Sequence, residues 1–228
     1  MFRVMGFLLV SIMIGSAQAE QSLSDFSAKY VVHLNGLKVG ELQRSQQRQE
    51  NGDWLMQTSA RTTGMAAWFK PDTATELSTW RMVDGWPQPL EYSYQYSGRS
   101  KDILERLEFD WLNGILRSLR DGKVTSLELE PQLLDKQVFE VAMQQAIAKG
   151  TQSGNFRIAH RGRIIDYDFS VIGGEALYIR SLGQIDTLKV QRGNTVIWLA
   201  PAHDYLPVKI EQQDGRSTAT SYLIGLSH

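Results

Sequence analysis

Apolar and polar residues alternate along most of the chain, which is the pattern of β-strands with one buried face. The first such run places five apolar side chains on one face: Phe26, Ala28, Tyr30, Val32 and Leu34. Asn35-Gly36 then predicts a tight turn, because both residues tolerate positive φ. Similar runs continue to residue 129 and resume after Gly150, and Gly173-Gly174 predicts a turn between strands at 163–171 and 176–181. About a dozen strands at this spacing predict an antiparallel meander that curls or closes so that few edges stay exposed.

One segment departs from this alternation and has helical spacing instead. Residues 134–149 carry apolar side chains three and four positions apart, at Val138, Phe139, Ala142, Met143, Ala146 and Ile147. Asp135 is placed to cap the start of a helix and Gly150 to close its end in a left-handed conformation. The predicted fold class is therefore all-β with one main helix: a curled antiparallel sheet, open or closed like a barrel, covered by a single amphipathic helix. Because no linker of disordered composition interrupts residues 20–228, we predict a single β-rich domain there.

The first 19 residues have the features of a secretory signal peptide. Arg3 precedes an apolar run at 4–14, and Ala17-Gln18-Ala19 predicts cleavage after Ala19. An uncleaved membrane anchor is the alternative, but a bilayer-spanning helix needs roughly 20 apolar residues. We therefore expect an exported, periplasmic protein without a transmembrane segment in its mature chain.

The composition excludes several kinds of functional site. The chain has no cysteine and a formal net charge of −1, which excludes disulfide scaffolds and thiolate metal sites and argues against a nucleic-acid partner. The four histidines (His33, His160, His203 and His228) have no metal-binding spacing, and no phosphate-cradling or dinucleotide motif is present. We expect neither a metal nor a cofactor.

Few polar clusters are candidates for catalysis. Asp166 and Asp168 are two residues apart on a predicted strand, so they share a face and could divide acid and base roles. The simpler interpretation is a solvent-facing pair on a strand whose other face is buried, and it favours a protein that is not an enzyme. Arg157, Arg161 and Arg163 form a basic patch that either binds anionic head groups or is an ordinary charged hairpin face.

Aromatic residues supply the candidate ligand site. Tyr92, Tyr94 and Tyr96 share one face, and their hydroxyl groups favour either plain core packing or an amphipathic cavity. The apolar segment at 64–69 is expected to pack into the core, with an adaptable lid or contact patch as the alternative. The predicted ligand-binding residues are Tyr92, Tyr94, Tyr96, Met65, Trp68, Phe69, Phe139 and Met143.

Several stretches taken in order carry a family resemblance. They are residues 26–30 leading into 36–41, residues 60–64 before Trp68-Phe69, residues 89–92, and the most specific one, residues 198–210. Together they resemble the bacterial exported family of domain of unknown function 3108. The resemblance implies a β-rich envelope protein without an assigned activity, and it transfers no catalytic residue. Residues 198–210 suit a structural corner, because Pro201 ends one strand, Asp204 braces the turn and Pro207 lies near the next strand.

Three functional hypotheses follow. The first is a binding module that holds an apolar or amphipathic, lipid-like ligand on the concave face, by architectural analogy with half-barrel carriers. The second is an envelope assembly or scaffolding protein that contacts another protein. The third is a hydrolase acting on glycans or lipids through Asp166 and Asp168. The first hypothesis predicts an apolar void of a few hundred Å³ between the sheet and the helix.

Overall fold

The computed structural model describes residues 23–99 and 101–228, so the predicted signal peptide lies outside the described residues. In the described part of the chain, fourteen antiparallel strands form one sheet. The strands are β1 Phe26–Leu34, β2 Leu37–Arg48, β3 Trp54–Thr62, β4 Thr73–Val83, β5 Trp86–Ser97, β6 Asp102–Asp110, β7 Ile115–Arg120, β8 Lys123–Glu128, β9 Ser153–His160, β10 Arg163–Ile179, β11 Gly183–Arg192, β12 Thr195–Ala200, β13 Leu206–Asp214 and β14 Ser217–Ser227. The helices are α1 Gly64–Phe69 and α2 Val138–Ala148, with a 3-10 turn at Pro201–His203.

The first and last strands pair with each other in the middle of the sheet. β1 and β14 run antiparallel with Val31 opposite Tyr222, and each half of the chain then meanders outward, to β8 on one side and β9 on the other. The two outer strands do not pair as a ladder. The segment after β8 instead makes a single bridge to β9, between Leu134 and Ile158. The predicted fold class, a curled antiparallel sheet with one main helix, is confirmed in its open form.

The two ends of the sheet overlap. Ala159 of β9 is buried in one cluster with Tyr92, Leu107 and Leu116, which lie on the inner face of β5–β7. At the tip of the β9–β10 hairpin, the backbone N–H of Arg161 donates to Glu105 Oε1 at 2.6 Å. The sheet is therefore rolled, with its β9 end inside the β5–β8 end.

Helix α2 lies against the inner face of this roll. Its buried residues share one cluster with Trp54 and Trp80 from β3 and β4 and with Val190 and Ile197 from β11 and β12. None of the helix residues is exposed. The helix, Val138–Ala148, is shorter than the predicted range 134–149. The two residues predicted to cap it behave as expected: the Asp135 carboxylate accepts from the N–H groups of Gln137 and Val138, at 2.8 and 2.9 Å, and Gly150 has a φ of +92°.

The predicted turn at Gly173-Gly174 is wrong. β10 runs through it as one 17-residue strand, with an irregularity in the pairing to β11 between Val171 and Gly173. Gly173 has a φ of +138°, so the extra residue is accommodated as a bulge, which is a common use of glycine inside a strand. The chain turns later, between Ile179 and Gly183.

The corner at residues 198–210 has the predicted structural role. Pro201 ends β12, and Asp204 follows the 3-10 turn in the left-handed conformation. The Trp198 indole N–H donates to Glu175 Oε2 at 3.0 Å, and Lys209 Nζ lies 3.9 Å from the Trp198 ring centroid. These contacts join β10, β12 and β13.

Candidate ligand-binding site

The predicted ligand-binding residues do not form one site. Phe139 and Met143 belong to the cluster around α2, Tyr92 and Tyr94 belong to the cluster between β5–β8 and β9, and Met65 and Trp68 lie on α1. The sequence identified buried and exposed apolar residues but could not show that three separate regions hold them.

The tyrosines share one face of β5, as predicted, and the structure shows that this is the inner face. They lie opposite Ser78, Glu76 and Ala74 of β4. Burial, with nearby carboxylates including Glu76, raises the pKa of Tyr92 above its usual range. A hydrogen bond to Asp72 raises the pKa of Tyr96. Of the three tyrosines, Tyr92 is therefore packed in the core, whereas Tyr96 makes a polar contact.

Met65 and Trp68 of the segment at 64–69 are not tucked into the core. The segment forms the short helix α1, on which Met65 is 79% exposed and Trp68 86% exposed. The expectation of core packing is therefore wrong for these two residues. Hydrogen bonds of the preceding Thr62 and Thr63 hold the segment at the end of the sheet. Thr63 N donates to Val39 O and Thr62 Oγ1 donates to Lys70 O, at 2.9 and 2.7 Å.

The interior beside α2 is nearly full. The cluster around α2 fills the space between helix and sheet, and the cleft at the end of that space measures about 40 Å³. That volume holds about one to a few water molecules. The predicted void of a few hundred Å³ is absent from the described structure in this conformation.

The cleft is lined by both apolar and polar side chains. Its walls come from β1, β2, β3, β14 and α2, from the corner after β12 and from residues 23–24. The apolar lining includes Leu23, Phe26, Met56, Val141, Leu206 and Leu226, and the polar lining consists of Ser24, Arg44, Gln46, Gln144, His203, Asp204 and His228. This is the combination by which small-molecule sites bind an amphipathic molecule.

Arg44 is the unusual residue of the cleft. It is only 6% exposed, and its Nη1 forms an ion pair with Glu140 of α2, while Nη2 lies 3.1 Å from Met56 Sδ. Its Nε is buried with no hydrogen-bond partner. Burial is the largest influence on the pKa of Arg44 and acts to lower it, but Glu140, Tyr30 and Glu76 together outweigh burial and the pKa is raised. The guanidinium therefore stays charged and is neutralised by Glu140.

Residues 23–25 close the cleft as a short strap. Gln46 Nε2 donates to Ser24 O at 3.2 Å, and Arg48 N donates to Asp25 Oδ1 at 2.9 Å. Ser24 Oγ reaches Asp204 Oδ2 at 3.5 Å. Side-chain hydrogen bonds, rather than a strand ladder, hold the strap to the sheet, and Leu23 packs against the cluster around α2.

The catalytic alternatives have ordinary structural contacts. Asp166 is paired with Arg157 Nη1 at 3.3 Å, and Asp168 accepts from Asn155 Nδ2 at 2.6 Å. Arg157 of the basic patch is also bound by Glu130 through two contacts of 2.9 Å. Within residues 23–99 and 101–228, no group of three or more histidine or carboxylate side chains is arranged to hold a metal ion. No helix in that same part of the chain is long and apolar enough to cross a membrane.

Sequence reasoning missed Arg44, Gln46 and Glu140. β2 is polar on both faces, so its alternation gives no signal of which face is buried. The strand register shows which face is buried: Arg44 lies opposite Ala28 of β1, and Ala28 is fully buried. Glu140 is a charged residue among apolar residues at the start of the helix. That position was the only feature of the sequence that indicated a buried charged group.

Comparison with known proteins agrees with this architecture. The crystal structure of a beta-barrel-like protein of domain of unknown function DUF1849 from Brucella abortus superimposes with a TM-score of 0.56 at 10% identity, covering 90% of this chain and 98% of that one. That likeness shows the fold alone. No curated protein matches the sequence. The family model of proteins of unknown function DUF3108 matches residues 29–223, and the chain therefore belongs to the DUF3108 family.

Proposed function

We propose that this protein is a non-enzymatic, periplasmic binding module for an apolar or amphipathic, lipid-like ligand, held in the cleft between α2, β1–β3, β14 and the strap. The observation that carries the proposal is the buried Nε of Arg44, which lacks a hydrogen-bond partner although Arg44 lines a cleft with apolar side chains beside it. Such groups cost about 1–3 kcal/mol when left unsatisfied, and a ligand oxygen would satisfy this one.

The charge state of the cleft narrows the ligand chemistry. Because Glu140 already neutralises Arg44, a second anion would bring an unpaired charge into an apolar site, which is costly. A neutral acceptor, such as the carbonyl oxygen of an ester or amide, meets the free N–H without that cost. The apolar lining suits a hydrocarbon chain beside it.

The cleft is too small to hold a lipid-like ligand unless part of its wall moves. Small-molecule sites commonly measure roughly 300–1,000 Å³, far more than the 40 Å³ present here. Outward movement of Leu23 and Ser24 would uncover Phe26, Arg44 and Gln46 while leaving the sheet ladder intact. We therefore place access to the site at the strap.

Three probes that share one chain length test the proposal. Monopalmitoyl glycerol, palmitate and hexadecane present an ester, a carboxylate and no polar group, respectively. We expect the ester to raise the melting temperature of the purified protein most, and native mass spectrometry of protein from the cell envelope to show a bound lipid-like species. No shift with any probe, together with no co-purifying species, would contradict the proposal.

A matched pair of double variants separates binding from folding. Arg44→Met with Glu140→Gln removes the guanidinium without leaving a lone buried charge, and we expect ester affinity to fall about tenfold or more. Arg120→Met with Glu105→Gln removes another buried ion pair, which lies outside the cleft, and should leave affinity unchanged. Equal losses in both variants would count against a role for Arg44.

Cell fractionation and N-terminal sequencing test the localisation. We expect the protein in the periplasmic fraction with Glu20 as its first residue. Retention in the cytoplasm would contradict this part of the proposal.

A further inference from the structure

Four large apolar side chains are exposed together at one end of the sheet, and we name them the apolar rim: Leu34, Leu37, Met65 and Trp68. Leu34 and Leu37 face each other across the β1–β2 turn. Met65 and Trp68 are three residues apart on α1, so they share a helix face. The hydrogen bond from Thr63 N to Val39 O fixes α1 beside the start of β2.

The exposure of this rim is unusual. Trp68 is 86% exposed, Met65 79% and Leu37 74%, although each would gain free energy by leaving water. Clustered exposed apolar side chains of this kind commonly mark a contact surface. The cluster protrudes from a short helix and a hairpin turn, so it suits insertion into a soft surface better than capture of a ligand.

The charges around the rim are mainly positive. Its neighbours at the same end of the sheet include six cationic side chains and four carboxylates: Lys38, Arg61, Lys70, Arg99, Lys101 and Arg216, with Glu41, Asp72, Asp102 and Asp214. Lys38, Arg61 and Lys70 are largely exposed even though they pair with Glu41 or Asp72. This local excess is opposite in sign to the −1 of the whole chain.

We propose that the apolar rim docks on the surface of an anionic lipid bilayer. Tryptophan favours the membrane–water interface, where Trp68, Met65 and Leu37 would lie among the head groups and upper acyl chains while the flanking cations meet anionic lipids. A protein partner fits less well. Each partner of a stable protein interface contributes roughly 20–30 residues and buries about 800 Å², whereas the rim consists of four side chains.

The proposal does not depend on the ligand cleft, which is lined by the strap and the corner after β12, at the opposite ends of the strands. Failure of the ligand experiment would leave the rim prediction intact, and the reverse also holds.

Vesicle co-sedimentation tests the docking. The purified protein is mixed with vesicles of phosphatidylglycerol and phosphatidylethanolamine, and separately with vesicles of phosphatidylcholine alone. We expect preferential, reversible binding to the anionic vesicles that weakens as salt is added. The double variant Met65→Ser, Trp68→Ser should lower the partition coefficient at least about tenfold, and Lys70→Glu should lower it only for anionic vesicles.

Two controls keep the test specific. Leu112→Ser alters a residue that is 94% exposed at the β6–β7 turn, on the other end of the sheet, and should bind vesicles like the unaltered protein. Brominated lipids should quench tryptophan fluorescence of the unaltered protein more than that of Trp68→Phe. Absence of vesicle binding, equal binding by the double variant, or a rim-dependent dimer in sedimentation velocity would each overturn the proposal.

Discussion

Replacing Phe139 by alanine is expected to lower the free energy of unfolding by about 3–5 kcal/mol, the range for removing a buried phenylalanine. Phe139 is 1% exposed and meets Phe156 and Tyr167 edge to face, with ring centroids 5.5 and 5.3 Å apart. It therefore connects α2 to both β9 and β10. Urea denaturation followed by circular dichroism measures the loss.

Two further variants make this result interpretable. Phe139→Leu keeps part of the buried volume and should show an intermediate loss, so a measurement is available even if the alanine variant does not fold. Tyr178→Ala removes an exposed aromatic side chain of β10 and should change stability by no more than about 0.5 kcal/mol. A Phe139→Ala loss as small as that of Tyr178→Ala would show that α2 is not enclosed by the sheet.

Replacing Asp135 by asparagine is expected to remove a pH dependence of stability and to stabilise the protein at neutral pH. Asp135 is fully buried, and burial raises its pKa from 3.8 to about 6, against the lowering effect of its hydrogen bonds with Ser78, Val138 and Gln137. The folded state thus holds the proton more tightly than the unfolded chain. Stability from this group is fully present below about pH 4 and is lost as pH rises through about 6, by about 3 kcal/mol.

Asparagine keeps the acceptor oxygen for the helix N–H groups and offers an amide donor to Ser78 Oγ. Denaturation at pH 4, 5, 6 and 7 should therefore show similar stability of the two proteins at pH 4 and an advantage of about 3 kcal/mol for Asp135→Asn at pH 7. The exposed Asp186→Asn serves as the matched control. Parallel pH profiles of the original protein and Asp135→Asn would refute the assignment.

Local sequence patterns were sufficient for most of the fold. Alternation predicted the strand at Phe26–Leu34 with its correct bounds, and helical spacing with Asp135 and Gly150 predicted α2, whose regular turns occupy a shorter range than 134–149. Glycine pairs did not predict turns reliably. Gly173-Gly174 is compatible with a turn or with a bulge inside a strand, and only the pairing with β11 distinguishes the two. The exposed helix at Gly64–Phe69 was missed because its composition is that of a core segment.

The candidate site was much harder to predict than the fold. Phe139 and Met143 were correctly recognised as apolar and helical, yet which cluster they join depends on how fourteen strands roll up. Arg44 gave no signal, because a charged residue on a polar strand is ordinarily solvated. Its burial is produced by tertiary structure, through Ala28 on one side and Glu140 on the other.

The central pairing of β1 with β14 has a consequence for the order of assembly. All other ladders join strands that are neighbours in the sequence, whereas this one brings together residues such as Asn35 and Thr218, 183 positions apart. Contacts of such long sequence separation form slowly. The ladders within each half of the chain can therefore form first, and the β1–β14 ladder can form only after the final strand has been synthesised. Since His228 Nδ1 lies 3.4 Å from Asp25 O, a variant chain that links residue 228 directly to residue 25 and is opened after Gly150 would form this ladder early, as a local hairpin.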